Sequence, residues 1–161
     1  MAISAEKILP EGNGTELQKV AELLGGARVL ARRLTSALDA HELLLSGLPA
    51  SALDHLVGHL VVIGKTESLE KAVGMSLRTW QRRKDAPAKP LSQEQSGRAW
   101  KFAEILAKAT DVFGSQVEAE QWLERPAIGL DQRRPIDLLS TPAGVELVED
   151  HLERLEYGVY A

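Results

Sequence analysis

The chain has 161 residues, of which 44% are apolar and 26% charged, with a formal net charge of -4 and no cysteine. This composition excludes a disordered segment, a disulfide-stapled scaffold and thiolate metal sites, and it allows one or two modest cores. Aromatics make up only 4%, so packing rests on aliphatic residues at helical spacing rather than on the β-branched and aromatic runs of strands, and an all-α fold is expected.

No charged, apolar and small-residue leader pattern opens the chain, and no run approaches the ~18 uninterrupted apolar residues of a membrane span. A cytoplasmic protein with no membrane partner is the expectation.

Residues 1–14 are small and polar, with Pro10, Gly12 and Gly14, and read as a flexible terminus. From Thr15, the positions Leu17, Val20 and Leu24, then Val29, Leu30, Leu34, Leu38 and Leu43, recur at three- and four-residue steps, broken at Gly25 and Gly26. Two helices are predicted there. After Gly47 and Pro49 a third carries Leu53, Leu56, Val57 and Leu60 and stops near Gly64.

A short helix over 67–73 and another starting at Ser76 follow. Pro87 and Pro90 interrupt the chain, and the boundary between a region over 15–90 and a second over 91–161 is set there. Ser92 with Gln95 has capping-box spacing and opens a long helix striped with Ala99, Phe102, Ala103, Leu106, Ala109 and Phe113, ended by Gly114. Ser115 with Glu118 repeats the spacing and opens a helix to about Leu123.

A loop to Asp131 and a turn over 135–139 lead to Thr141 and Pro142, an N-cap with proline at the first helical position. The last helix presents Val145, Val148, Leu152 and Leu155 on one side and Glu146, Glu149, Asp150 and Glu153 near the other.

The stretch "VGMSLRTWQRRK" has helix-turn-helix spacing. Leu69, Ala72 and Val73 pack from the first helix, Gly74 supplies the turn, and Met75, Leu77 and Trp80 pack from the second. With Ser76 as N-cap, the second helix directs Arg78, Thr79, Arg82 and Arg83 away from Leu77 and Trp80. Donors at its start then reach base edges, while Arg83 and Lys84 reach phosphates.

Residues 65–89 hold seven cations against three anions, a local +4 that leaves about -8 elsewhere. Segregated charge of this kind is compatible with DNA binding by an acidic protein. The simpler alternative is that Arg82, Arg83 and Lys84 only offset a helix dipole.

His55 and His59 stand at i, i+4, but Leu56 follows the first where a zinc hydrolase would have Glu, so a structural role is expected and no metal or cofactor. No phosphate loop or nucleophile elbow is found, and Trp80, Trp100 and Trp122 fall within periodic helices as packing residues. The chain does not read as an enzyme.

The segments "VGMSLRTWQRR", "LSQEQSGRAWKFAEILAKATDVFGSQVEAEQWLERP" and "RRPIDLLSTPAGVELVEDHLERLEYGVYA" together resemble the Xre/MbcA/ParS-type antitoxins that partner RES-domain toxins. The resemblance covers about residues 49–161. Within it, Glu70 stands where helix-turn-helix motifs usually pack a small residue, and Arg83 where an apolar one is common.

This resemblance implies a helix-turn-helix DNA-binding domain, about 66–84, followed by a helical toxin-binding domain. It implies repression of the protein's own operon through operator DNA, a homodimer or larger complex with the toxin, and neutralisation of a toxin that consumes NAD or transfers ADP-ribose. Covering the toxin's active site falls on Glu153, Arg154, Leu155, Glu156, Tyr157, Gly158, Val159 and Tyr160.

Independently, "LERLEYGVYA" ends an acidic helix in glycine and then carries Val159 and Tyr160 at a terminus, where aromatics either fold back on the core or meet a partner. Two other functions fit parts of the sequence. One is a stand-alone transcriptional regulator whose C-terminal domain dimerises or senses a ligand, and the other is a small enzyme using the acidic helix.

Overall fold

The computed structural model describes residues 11–83, 85, 86 and 89–158, with side chains from Thr15 onward. Of the residues singled out above, Lys84, Pro87, Val159 and Tyr160 lie outside this set, as do residues 1–10 of the expected flexible terminus.

Nine α-helices and two 3-10 turns, with no strand, make up the described residues. They are α1 (Glu11–Leu23), α2 (Gly26–Leu30), α3 (Ala37–Ser46), α4 (Ala50–Gly58), α5 (Glu67–Val73), α6 (Leu77–Arg83), α7 (Gln93–Phe113), α8 (Gln116–Leu123) and α9 (Pro142–Glu156). The 3-10 turns cover Ile128–Leu130 and Pro135–Leu138. The all-α expectation holds.

Helix α7 is the axis of the molecule. Its alanines and Phe102, Ile105 and Leu106 are buried, and α1, α3, α5, α8 and α9 all pack on it. Small residues on this helix let its neighbours approach closely, and the mixed Leu, Ile and Phe side chains fill the remaining space. One apolar cluster runs from Val20 to Leu152.

Two boundaries differ from the sequence reading. Helix α1 starts at Glu11 rather than Thr15. Once Leu17, Val20 and Leu24 are packed, each added turn of helix extends an existing nucleus at little cost.

The single helix expected from Val29 to Leu43 is divided into α2 and α3. Ala31 adopts a left-handed conformation (φ 59°), and Ser36 with Asp39 forms a full capping box that restarts the chain. Asp39 also accepts from the amide and hydroxyl of Thr35, and these hydrogen bonds hold its carboxyl below the usual carboxylate range. In consequence Leu38, counted in the apolar stripe, lies 64% exposed on the outer face of α3.

Ser92 and Ser115 act as N-caps, each accepting from the amide three residues on. The return bonds expected from Gln95 and Glu118 are not formed: Gln95 Oε1 is buried without a hydrogen-bond partner.

Hydrogen bonds tie the two regions together across the expected boundary at residue 90. Leu91 N donates to Leu48 O at 2.7 Å, and Leu48 N donates to the buried Ser96 hydroxyl at 2.8 Å. The start of α7 is thereby stitched to the loop before α4. From the other half, Glu120 reaches residues 61–63 and Arg134 reaches Ser68.

Candidate nucleic-acid interface and C-terminal docking surface

Thr66 caps α5, and Gly74 ends it in a left-handed conformation with φ 72°. Arg98 of α7 closes over this turn: its guanidinium donates to Lys71 O, and a Cβ on Gly74 would press on it at about 3.1 Å. The left-handed backbone is what calls for glycine here. Met75 then turns inward, and Ser76 caps α6, its Oγ accepting from Thr79 N at 3.1 Å and donating to Thr79 Oγ1 at 2.9 Å.

Trp80 is 4% exposed and holds α6 against α5, with the Lys65 ammonium 4.4 Å from the centre of its ring. Glu70 does not disturb this packing. Its carboxylate accepts from Leu77 N at 3.2 Å and so caps the first turn of α6 from the preceding helix.

With Leu77 and Trp80 facing in, Arg78, Gln81 and Arg82 share the outer face at i, i+3 and i+4. No hydrogen bond or ion pair to another described residue occupies these three side chains. Ser76 is exposed and Thr79 half-buried, their hydroxyls engaged with each other in the cap. Arg83 is half-buried and donates to Pro90 O at 3.3 Å, which uses one of its five donors.

Four of the five described DNA-contact candidates therefore flank or lie on one exposed helix face, and Arg83 sits at its edge. Gln81 was missed by the sequence reading, although its spacing from Arg78 places it on the same face.

At the other end, Thr141 caps α9 by accepting from Gly144 N at 3.0 Å. Gly144 lies so close to the turn before it that a Cβ would meet Leu138 O at 1.9 Å. Val148 and Leu152 are fully buried. His151 stacks on Trp122 with ring centroids 5.9 Å apart and planes 6° apart, and Trp122 in turn meets Phe113.

Burial, together with the nearby Arg154 charge, lowers the His151 pKa. Lys101 of α7 meets Glu149 at 3.5 Å and Glu104 at 3.1 Å. Burial opposes its charge, but the two carboxylates outweigh that and raise its pKa. Glu149 is thus partnered within the protein rather than part of the solvated acidic face.

The outer face of α9 is left with Glu146, Asp150, Glu153, Arg154 and Glu156 exposed. Tyr157, its C-terminal cap, is 74% exposed, Gly158 (φ 71°) is exposed, and Leu155 is half-buried. Among the expected toxin-contact residues that are described, only Leu155 turns partly inward.

The His55 and His59 rings stack at 3.9 Å, and their Nδ1 atoms lie within hydrogen-bond distance of Leu23 O and His55 O. No cluster of three or more metal-ligating side chains occurs among the described residues. A cleft of about 570 Å³ between α5, α7 and the start of α9 has Phe102, Ile105, Pro142 and Val145 in its lining, and its Lys101 and Glu149 are already paired. None of the described helices is long and apolar enough to cross a membrane.

The described residues form an all-helical fold with a capped, cationic helix-turn-helix and a separate acidic helix, the arrangement of a helix-turn-helix regulator. Comparison with known families makes this specific. Residues 39–104 match the antitoxin Xre-like helix-turn-helix domain, and residues 108–158 match the Xre/MbcA/ParS antitoxin C-terminal toxin-binding domain.

An antitoxin Xre of Photorhabdus laumondii is 30% identical over 126 residues, covering 78% of this chain and 83% of the relative. One from Yersinia enterocolitica is 35% identical over 100 residues, covering 62% and 66%. One from Pseudomonas putida is 29% identical over 125 residues, covering 78% and 76%.

The chain belongs to the Xre antitoxin family, which is not a family of enzymes. Its two matched regions meet inside α7, between residues 104 and 108, so one continuous helix serves both.

Proposed function

We propose that this antitoxin neutralises an RES-domain toxin that consumes NAD, by laying its C-terminal end over the toxin's active site, and that it represses its own operon by binding operator DNA through α6. The toxin contact is assigned to Glu153, Arg154, Leu155, Glu156, Tyr157, Gly158, Val159 and Tyr160. Operator contact is assigned to Ser76, Arg78, Thr79, Arg82, Arg83 and Lys84, with Gln81 added. The working form is a homodimer or a larger assembly with the toxin.

The observation that carries the first half is Tyr157, 74% exposed at the end of a helix that buries Val148, His151 and Leu152 and exposes Glu146, Asp150, Glu153 and Glu156. An exposed aromatic on a rigid helix end is a low-entropy anchor for a protein pocket. Carboxylates beside it are attracted to a basic, phosphate-binding surface of the kind an NAD pocket presents. Membership in an antitoxin family favours this reading over a stand-alone regulator.

For the second half, the support is the unengaged Arg78, Gln81 and Arg82 face on a helix held by Trp80 and capped from two sides. Arginine and glutamine are the side chains best suited to bidentate contacts with guanine and adenine edges.

Co-expression with the toxin encoded beside the gene tests the proposal. A stable stoichiometric complex, with cellular NAD maintained only when the antitoxin is present, is the expected outcome. Free toxin and NAD loss despite expressed antitoxin would refute it.

A further inference from the structure

We infer that the cleft between α2, the end of α3 and the start of α4 is a second contact for the DNA backbone, flanking the groove that α6 reads. The inference rests on the DNA-binding reading above and extends it to residues outside the helix-turn-helix.

Arg28, Arg32, Ser46, Ser51 and Pro90 line this cleft, and none of its described lining residues is acidic. Residues 25–35 carry three arginines, Arg28, Arg32 and Arg33, and no carboxylate, in a chain of net charge -4. Arg28 and Arg33 are exposed and form no hydrogen bond or ion pair with another described residue. Among the described residues Arg32 meets Glu42 alone, at 3.8 Å and in solvent, an ion pair too weak to hold it against a phosphate.

The position of the cleft gives it a partner. Pro90 forms part of its wall, and the Pro90 carbonyl accepts from Arg83 at the end of α6. Ala50, the first residue of α4, donates to Lys89 O, which fixes the same segment to the start of α4. Arg28 and Arg32 thus share a cleft with Pro90, whose carbonyl is held by Arg83 at the end of α6.

A reading helix in a major groove has phosphate backbone on both flanks, and contacts there set its register without reading sequence. A concave surface with two arginines, two serines and no carboxylate suits that backbone. The acidic α9 assigned to the toxin has the opposite charge.

The test is a salt titration of binding to the duplex directly upstream of the coding region and to a scrambled duplex of equal length. It uses the full chain and the variants Arg28→Ala, Arg28→Ala with Arg32→Ala, and Arg82→Ala. Because Arg28 has no hydrogen-bond or ion-pair partner among the described residues, its single variant separates contact loss from misfolding, and far-UV circular dichroism is followed for each.

The double variant is expected to flatten the slope of log affinity against log salt by about 0.9 for each phosphate lost, and to weaken both duplexes alike. A wild-type slope in the double variant with a reduced slope in Arg82→Ala would overturn the cleft while leaving α6 as the reader. An unchanged slope with weakened toxin capture would assign the cleft to a protein and equally overturn it. Absence of DNA binding by the wild type would remove the DNA-binding reading, and this inference with it.

Discussion

Glu120 Oε1 lies 2.9 Å from the amide nitrogen of Ile63, a residue 57 positions earlier in the chain. The same carboxylate accepts from the amides of Val61 and Val62, and Gln116 Nε2 donates to its second oxygen at 2.8 Å. Glu120 is completely buried, so a single side chain of the toxin-binding region organises the loop that delivers α5 to the DNA-binding region.

Removing this carboxylate orphans up to three backbone donors. Glu120→Ala is expected to cost about 3–5 kcal/mol, as for breaking a buried charged cluster on one side. Glu120→Gln keeps an oxygen for the three amides but turns a second donor toward Gln116, and about 1–2 kcal/mol is expected. Denaturant unfolding of the three proteins measures both, and equal stabilities would show that the loop does not depend on Glu120.

Glu70 is expected to act through α6. Glu70→Ala removes the acceptor for Leu77 N and costs about 1 kcal/mol, with weakened operator binding from a frayed first turn. Glu70→Gln retains an acceptor and is expected to bind operator nearly as the wild type does. Gel-shift titration with unfolding in parallel checks this, and identical behaviour of the Ala and Gln variants would contradict it.

Arg82 and Arg83 are adjacent but held differently, and their variants are expected to separate. Arg82→Ala should flatten the salt dependence of operator binding by about 0.9 with no loss of stability. Arg83→Ala should in addition destabilise by about 0.5–1.5 kcal/mol, because the hydrogen bond to Pro90 O is lost. Salt titrations and thermal melts of the two variants provide the comparison.

His151 makes a pH prediction. Its folded pKa lies below the ordinary value because burial, aided by Arg154, disfavours the charged ring. The unfolded chain therefore takes up the proton first, and stability falls as pH drops below about 6.5 toward the lower folded value. His151→Phe keeps the stacked ring against Trp122 and is expected to reduce this acid loss. Melting temperatures of both proteins between about pH 7 and pH 5 test it.

Much of this architecture is written in local sequence. Ser76, Ser92, Ser115 and Thr141 mark four helix starts because each cap is satisfied within three residues, and Gly74 and Gly114 mark two ends for the same reason. The basic helix and the acidic helix with its tyrosine are legible from spacing alone.

What depends on distant partners is not. Glu120 reads as one more acid of an amphipathic helix until residues 61–63 are brought against it. Arg83 breaks an apolar pattern until Pro90 O accepts from it, and Glu70 breaks another until Leu77 N does. The break between α2 and α3 was obscured by a leucine spacing that continues through Leu38, although Leu38 faces solvent. The capping box at Ser36 and Asp39 was the local signal for it.

We propose that toxin and operator use separate parts of one chain, its C-terminal end and α6 near its middle. Deleting residues 157–161 and co-expressing the result with the neighbouring toxin, while titrating the same protein on the upstream duplex, tests it most directly. The account predicts freed toxin activity and NAD loss with operator affinity within about twofold of wild type, a change under 0.5 kcal/mol. Full neutralisation by the truncated chain, or joint loss of neutralisation and operator binding in a protein that remains folded, would contradict it.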